Sequence, residues 1–298
     1  MSAVSPTRSS GPAVGATGLV VVGLVCQEVG AAFAVTLFPA VGAVGMVSLR
    51  LAFSAAILML LFRPRLRGRS RGDWMTVVAF GLSLAGMNVL FYEALARLPL
   101  GVTVTIEVLG PLILSVVISR RASSWLWAVL AFAGVAILGR GGFDSLDPIG
   151  VLCAAAAGAL WVAYILMSAR TGQRFERLDG LALAMTVAAV LVVPFGTVTA
   201  GAAIINPQIL LLGLAVAILS STIPYGLELL ALRRLPAATF SILLSLAPVL
   251  AALAGLIILR QPLAALDLLA MVLVVAASMG AVRAASRRSR TPITEVTL

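Results

Sequence analysis

The chain contains no lysine and no histidine, only two cysteines and three tyrosines, and charged residues make up just 11% of it. Each scarcity excludes something. Without histidine there is no imidazole base and no Cys/His metal spacing, and without lysine there is no G-x-x-x-x-G-K-[ST] nucleotide loop. A G-x-S-x-G nucleophile turn is also missing. No cofactor and no metal are therefore expected, and transport driven by ATP would need a partner chain. Cys26 and Cys153 lie inside apolar runs and suit small buried hydrophobes better than a disulfide framework. A soluble domain carries about 25% charged residues, so an ordinary cytosolic enzyme, a disordered chain and a secreted scaffold are all excluded.

What fills the 298 residues is apolar: 61% are hydrophobic and the mean hydropathy is +1.14. Such a chain cannot close into a water-soluble sphere without exposing large apolar patches. The expectation is an integral, all-α membrane protein. The net charge of +10 and pI of 11.4 come entirely from arginine. These arginines sit in short clusters between apolar runs, where they orient helices in a bilayer and form no continuous basic face for nucleic acid.

A spanning helix needs about 20 apolar residues. Cutting at the arginine clusters and at Pro, Gly and Asn turns gives ten segments: roughly 14–37, 41–62, 74–96, 99–119, 123–140, 148–169, 179–199, 207–232, 236–259 and 263–283. The uncharged run from Gly180 to Leu227 is too long for one span, and Pro194-Phe195-Gly196 with Asn206-Pro207 supplies the expected break. Residues 1–12 and 284–298 read as polar tails. Glu28 interrupts the first apolar segment and no A-x-A site follows, so no cleavable signal peptide is expected. With the N-terminus cytoplasmic, seventeen arginines fall inside and only Arg97, Arg140 and Arg260 outside, with Arg50 left within the second span. Both termini are then cytoplasmic. Trp74, Trp125 and Trp127 fall at cytoplasmic span starts, as an interfacial belt requires.

An internal repeat runs through this pattern. Ala94-Leu95-Ala96-Arg97-Leu98-Pro99 with Pro111 aligns with Ala231-Leu232-Arg233-Arg234-Leu235-Pro236 with Pro248, at an offset of 137 residues and with 7 of 18 positions identical. Matching turns and matching prolines argue against chance likeness between Leu/Ala-rich helices. The units are 13–140 and 148–283. Five helices per unit is an odd number, so the second copy enters the membrane upside-down relative to the first, a construction common among secondary transporters.

Candidate functional residues follow from cost. Pro111, Pro224 and Pro248 each remove a helical donor, leaving the carbonyls of Glu107, Ser220 and Leu244 without their usual partner. Any one of them fits a tolerated kink equally well, while symmetric placement favours a cavity or gating role. Ionisable groups within the bilayer are expensive unless they face a partner or water. Glu28, Arg50, Glu93, Glu107 and Glu228 are of this kind. Glu107 lies mid-span with Leu244 as its repeat counterpart, which points to function. Glu93 and Glu228 sit nearer span ends and fit an interfacial position as well. Arg50 must find an acceptor, and a structural ion pair with a glutamate is expected. Asn88 and Tyr92 share a helix face, Tyr225 is the counterpart of Asn88, and Trp161 and Tyr164 lie mid-span, where ordinary packing is their alternative. Together with Glu107 they offer a carboxylate for an ammonium, donors for a carboxylate, and ring faces for a side chain. That set suits a zwitterionic amino acid held in a wet hollow at mid-membrane, and other small amphipathic solutes fit it too.

In several stretches the chain resembles the drug/metabolite transporter superfamily, EamA type. They are LFPAVGAVGMVSLRLA (37–52), GLSLAGMNVLFY (81–92), LPLGVTVTIEVLGPL (98–112), LWVAYIL (160–166) and LSSTIPYGLELLALRRLP (219–236). The likeness is greatest to the bacterial threonine/homoserine exporters, with aromatic-amino-acid exporters as broader relatives, and it covers about residues 20–283. The resemblance implies a multi-pass inner-membrane exporter of amino acids working by alternating access, with Arg50, Asn88, Tyr92, Glu107, Pro111, Trp161, Tyr164, Pro224, Tyr225 and Glu228 matching the branch pattern. Glu28 and Glu93 depart from it, and the Leu-Arg-Gln-Pro ending the ninth segment replaces a Gly-Glu of many relatives. The expected partners are an amino acid and the lipid bilayer, with no nucleic acid, and the expected assembly is a monomer or weak homodimer. The competing readings are a drug or other metabolite carrier of the same superfamily, and a membrane protein that transports nothing.

Overall fold

The structure, a computed structural model, describes residues 11–119, 122–140, 146–232 and 243–286. No strand occurs among them. The first half holds α1 (Gly11–Thr36), α2 (Phe38–Phe62), α3 (Arg71–Leu95), α4 (Leu100–Glu107), α5 (Leu109–Ser119) and α6 (Ala122–Arg140). The second holds α7 (Pro148–Arg174), α8 (Asp179–Ala200), α9 (Pro207–Ala217), α10 (Ile223–Leu232), α11 (Ala247–Ile258) and α12 (Ala265–Ser286). A π-helical turn, Ile218–Thr222, joins α9 to α10. Among the described residues, six helical stretches are long and apolar enough to cross a membrane, and four shorter apolar ones accompany them.

Helix starts follow local chemistry. Ser70 and Asp73 form a reciprocal capping box at α3. Asp147 accepts the amides of Ile149 and Gly150 at α7, and Asn206 accepts that of Gln208 at α9, each with proline in the first turn. Two expected boundaries move. The helix α8 runs straight through Pro194-Phe195-Gly196 and stops at Gly201, whose φ of +56° ends it. The long apolar run is therefore broken only by the turn at Gly201–Ile205 and by Asn206-Pro207. At Pro111 and Pro248 the helical bonding is interrupted locally while the backbone stays in the right-handed helical region. Each lies in the first turn of a helical segment, after an interruption at Val108 and at Leu246 respectively. There a missing N–H costs nothing. Residues 1–10, 233–242 and 287–298 lie outside the described residues, among them the start of the ninth expected segment, while residues 11–12 and 284–286 of the expected tails are helical.

Packing is across the two halves. The helix α2 lies along α8, α3 along α7 and α8, α6 along α12, α4 against α11, and α1 against α10 and the π-turn. Phe80, Leu84, Tyr92, Met46 and Met185 form the heart of the α2–α3–α8 core. Between helices in lipid there is little hydrophobic drive, so close backbone approach has to supply the contact. Glycines provide it where α4 and α5 meet α7. A Cβ on Gly110 would come within 2.0 Å of the Gly158 carbonyl oxygen, and one on Gly158 within 2.5 Å of the Glu107 carbonyl oxygen. The outward surface is apolar, with Val198, Met75, Ile205 and Leu60 all strongly exposed.

Gly110→Ala and Gly158→Ala are each expected to cost about 1–3 kcal/mol or more through overpacking, read as a lower melting temperature in detergent. Gly18→Ala, where a Cβ meets nothing within 4 Å, is the matched control and is expected to melt no earlier than wild type.

Candidate functional site

The site grows from one side chain. Arg50 stands in the buried middle of α2, whose neighbours Met46, Val47, Leu49 and Leu51 are all core residues. A guanidinium there has five N–H donors to satisfy. Its Nη1 donates to Asn88 Oδ1 at 2.8 Å and to Tyr92 Oη at 3.4 Å, its Nε to Ser221 Oγ at 3.2 Å, and its Nη2 to the Ser220 carbonyl at 3.1 Å. The hydrogen bonds that hold it run to neutral groups, and the side chain of Glu228, one of the expected glutamate partners, lies outside the described residues. Among the described residues no carboxylate lies within ion-pair distance of Arg50, and neutral acceptors from α3 and the π-turn take its donors instead. The physical reason is the backbone: Pro224 has no N–H to offer the Ser220 carbonyl four residues back, so that carbonyl is free to accept from Arg50.

Asn88 and Tyr92, one turn apart on α3, face Arg50 together. Asn88 is oriented by a second bond, Nδ2 to the Leu84 carbonyl at 2.8 Å. Tyr92 is fully buried, with the Phe38 ring at 5.8 Å on one side and the Arg50 guanidinium 5.5 Å from its centroid. Glu107, the last residue of α4, and Glu28 of α1 both lie within electrostatic range of Arg50, and Glu107 within range of Glu28. Tyr225 of α10 is also within electrostatic reach of Arg50. Trp161 packs beside the α4–α5 interruption with Val108, Leu109 and Leu112, whereas Tyr164 turns toward Phe80 at 5.2 Å. Glu93 sits at the end of α3, paired with Arg97. Donating a hydrogen bond to Glu93 raises the Arg97 pKa above its ordinary value, and both side chains are partly exposed at the helix end, clear of the buried centre. Glu228 lies on α10, and its side chain falls outside the described residues.

The centre is closed. Arg50 is 8% exposed, Asn88 3%, Glu107 9% and Glu28 2%. The wet hollow expected at mid-membrane is in this conformation a packed polar knot. The space beside the α4–α5 interruption is an apolar groove of about 530 Å³, lined among others by Ile106, Leu109, Gly110, Phe132 and Val162. Sequence reasoning missed Ser221 and the whole role of the π-turn. The signal was there in part, since Pro224 already marks the Ser220 carbonyl as short of a donor.

Residues 148–283 match the EamA-like transporter family. The chain is 43% identical over 256 residues to the threonine/homoserine exporter RhtA of Salmonella typhimurium, covering 84% of this chain and 85% of that protein. It is 39% identical over 274 residues to the exporter of the same name from Escherichia coli K12, covering 91% and 92%. A solved crystal structure superposes with a TM-score of 0.62 at 20% identity, covering 93% of this chain and 99% of its own, which speaks to the fold alone.

Arg50→Ala strands Asn88, Ser221 and the Ser220 carbonyl in the interior. At about 1–3 kcal/mol for each buried group left unpaired, the expected result is a large loss of folded yield and a lower melting temperature in detergent. Arg50→Lys, a point charge without the planar fork, recovers only part of both. An alanine variant as stable as wild type would remove the structural role assigned to Arg50.

Proposed function

Since this chain belongs to the EamA-like transporter family, alongside the threonine/homoserine exporters, we propose that it is a multi-pass secondary transporter of the bacterial inner membrane. It exports small amino acids of the threonine and homoserine type by alternating access. The observation that carries this reading is the buried polar centre, in which Arg50, Asn88, Tyr92 and Glu107 converge from three helices of an otherwise apolar bundle. Ionisable groups are too costly at that depth to be ornament. Glu107 receives the substrate ammonium, the amide and hydroxyl donors nearby receive its carboxylate, and Arg50 holds the helices that present them.

The architecture proposed is ten spans in two inverted five-helix units, with both termini cytoplasmic. Its support is the pairing pattern. Matching α1 with α7, α2 with α8, α3 with α9–α10, α4–α5 with α11 and α6 with α12 exchanges the two halves. Under that exchange α2–α8, α4–α11 and α6–α12 map onto themselves, α3–α7 maps onto α10–α1, and α1–α11 onto α7–α4, and all of these pairs are in contact. The interruptions before Pro111 and Pro248 also correspond. A two-fold arrangement of this kind lets one closed state open to either side by equivalent movements. The sealed centre is then the occluded intermediate of the cycle.

In proteoliposomes, labelled threonine is expected to exchange with internal threonine and homoserine, while hydrophobic cations do not compete. Glu107→Gln is expected to abolish that counterflow with expression and melting temperature unchanged. Unimpaired exchange by Glu107→Gln would remove this carboxylate from the substrate site, and competition by cations alone would favour a drug carrier.

A further inference from the structure

Glu28 has no part in the site described so far, yet it is among the most deeply buried polar side chains of the protein, at 2% exposure. Among the described residues its Oε2 has no hydrogen-bond partner. The direction in which it faces follows from its neighbours. Leu24, Ala31 and Ala32 share its side of α1 at helical spacing, and they cluster with Val104, which lies one turn before Glu107 on α4. Glu28 and Glu107 are accordingly close enough for their charges to interact, and Arg50 lies within electrostatic range of both.

A buried carboxylate oxygen without a partner is a net cost to the resting fold. Arg50 makes no hydrogen bond to it, and four of its five N–H groups go to Asn88, Tyr92, Ser220 and Ser221. Two buried carboxylates therefore lie within electrostatic range of one largely engaged cation among the described residues. A group able to satisfy both would be small, positive and rich in N–H donors. We propose that Glu28 is a second carboxylate of the substrate site and that the α-ammonium group of the amino acid is received between Glu28 and Glu107. This rests on the transport reading above and sharpens it: the site selects solutes that carry a protonated amine, and rejects the 2-hydroxy acids that share their shape and carboxylate. Selection of this kind is steep, because a site built for an N–H donor leaves its acceptors unpaired when the donor is missing.

The test uses the full-length protein in detergent and in proteoliposomes, with threonine and its deaminated analogue 2,3-dihydroxybutyrate as probes. Wild type is expected to be stabilised by threonine and not by the hydroxy acid. Glu28→Gln is expected to melt at or above the wild-type temperature when empty, since the orphan charge is gone. It is also expected to bind threonine about tenfold to a hundredfold more weakly, the loss of one charge-assisted hydrogen bond. Glu28→Asp, which keeps the charge, is expected to recover part of the affinity. The inference is overturned if Glu28→Gln binds threonine as wild type does, or if its melting temperature falls while its threonine affinity is kept, which would make Glu28 a structural counter-charge to Arg50. Absence of any threonine response in wild type would instead defeat the underlying transport reading, so the two failures are distinguishable.

Discussion

A single cation buried in an apolar bundle constrains most of what surrounds it. Arg50 cannot be left without acceptors, because an unpaired guanidinium in a low-dielectric interior costs several kcal/mol even after relaxation. Its four bonds reach Asn88 and Tyr92 on α3 and Ser220 and Ser221 on the π-turn, residues 38 to 171 positions away in sequence. Those bonds set the rotation of α3 and the register of the segment before α10 against α2. The π-turn itself belongs to this constraint. An extra residue in the turn and a proline four positions later together turn the Ser220 carbonyl into an acceptor that the helix no longer needs.

The remaining contacts are made by closeness. In lipid the helices gain little by hiding apolar surface from one another, so packing and backbone proximity decide which faces meet. Gly30 lies against Ser220, where a Cβ would come within 2.3 Å of the hydroxyl, and Gly196 lies against Ser48 at 2.1 Å in the same sense. The first contact seats α1 on the π-turn and the second seats α8 on α2, so both flank the helix that carries Arg50. Close approach of small residues and saturation of one large cation are thus complementary. The glycines bring the backbones near enough for the Ser221 side chain and the Ser220 carbonyl to reach the guanidinium.

Much of this was readable in the chain because the expensive residues announce themselves. Arg50 stood out as a charge in mid-span, Ser220 as a carbonyl deprived by Pro224, Asn88 and Tyr92 as a polar pair on one face, and Glu107 as a carboxylate with an apolar repeat counterpart. What could not be read was that the first two answer each other. They lie 170 residues apart, and only the packing of α1, α2 and α9 brings them together. A glutamate partner for Arg50 was the natural choice by charge, yet among the described residues its hydrogen bonds run to neutral acceptors. The interhelical use of Gly110 and Gly158 was equally hidden, since a glycine in an apolar run looks the same whether it faces lipid or a carbonyl. Pro194 misled for a related reason: a proline signals a missing hydrogen bond, and whether the helix ends there depends on neighbours outside the local sequence.

The interruptions in α4–α5 and before α11 connect the static fold to the proposed cycle. Prolines in the first turn of a helix leave that helix intact, and the helical segments here meet at Val108 and at Leu246. Glu107 is the residue immediately before one of these joints, and its backbone carbonyl rests on Gly158 of α7. A movement of α5 relative to α4 therefore changes the surroundings of the carboxylate that the substrate ammonium would meet. That coupling is what alternating access requires, because a ligand shifts a conformational equilibrium only by binding its states unequally. A joint remote from the charge would flex without sensing the substrate. One adjacent to it makes the affinity of the site and the orientation of the bundle two aspects of the same backbone geometry.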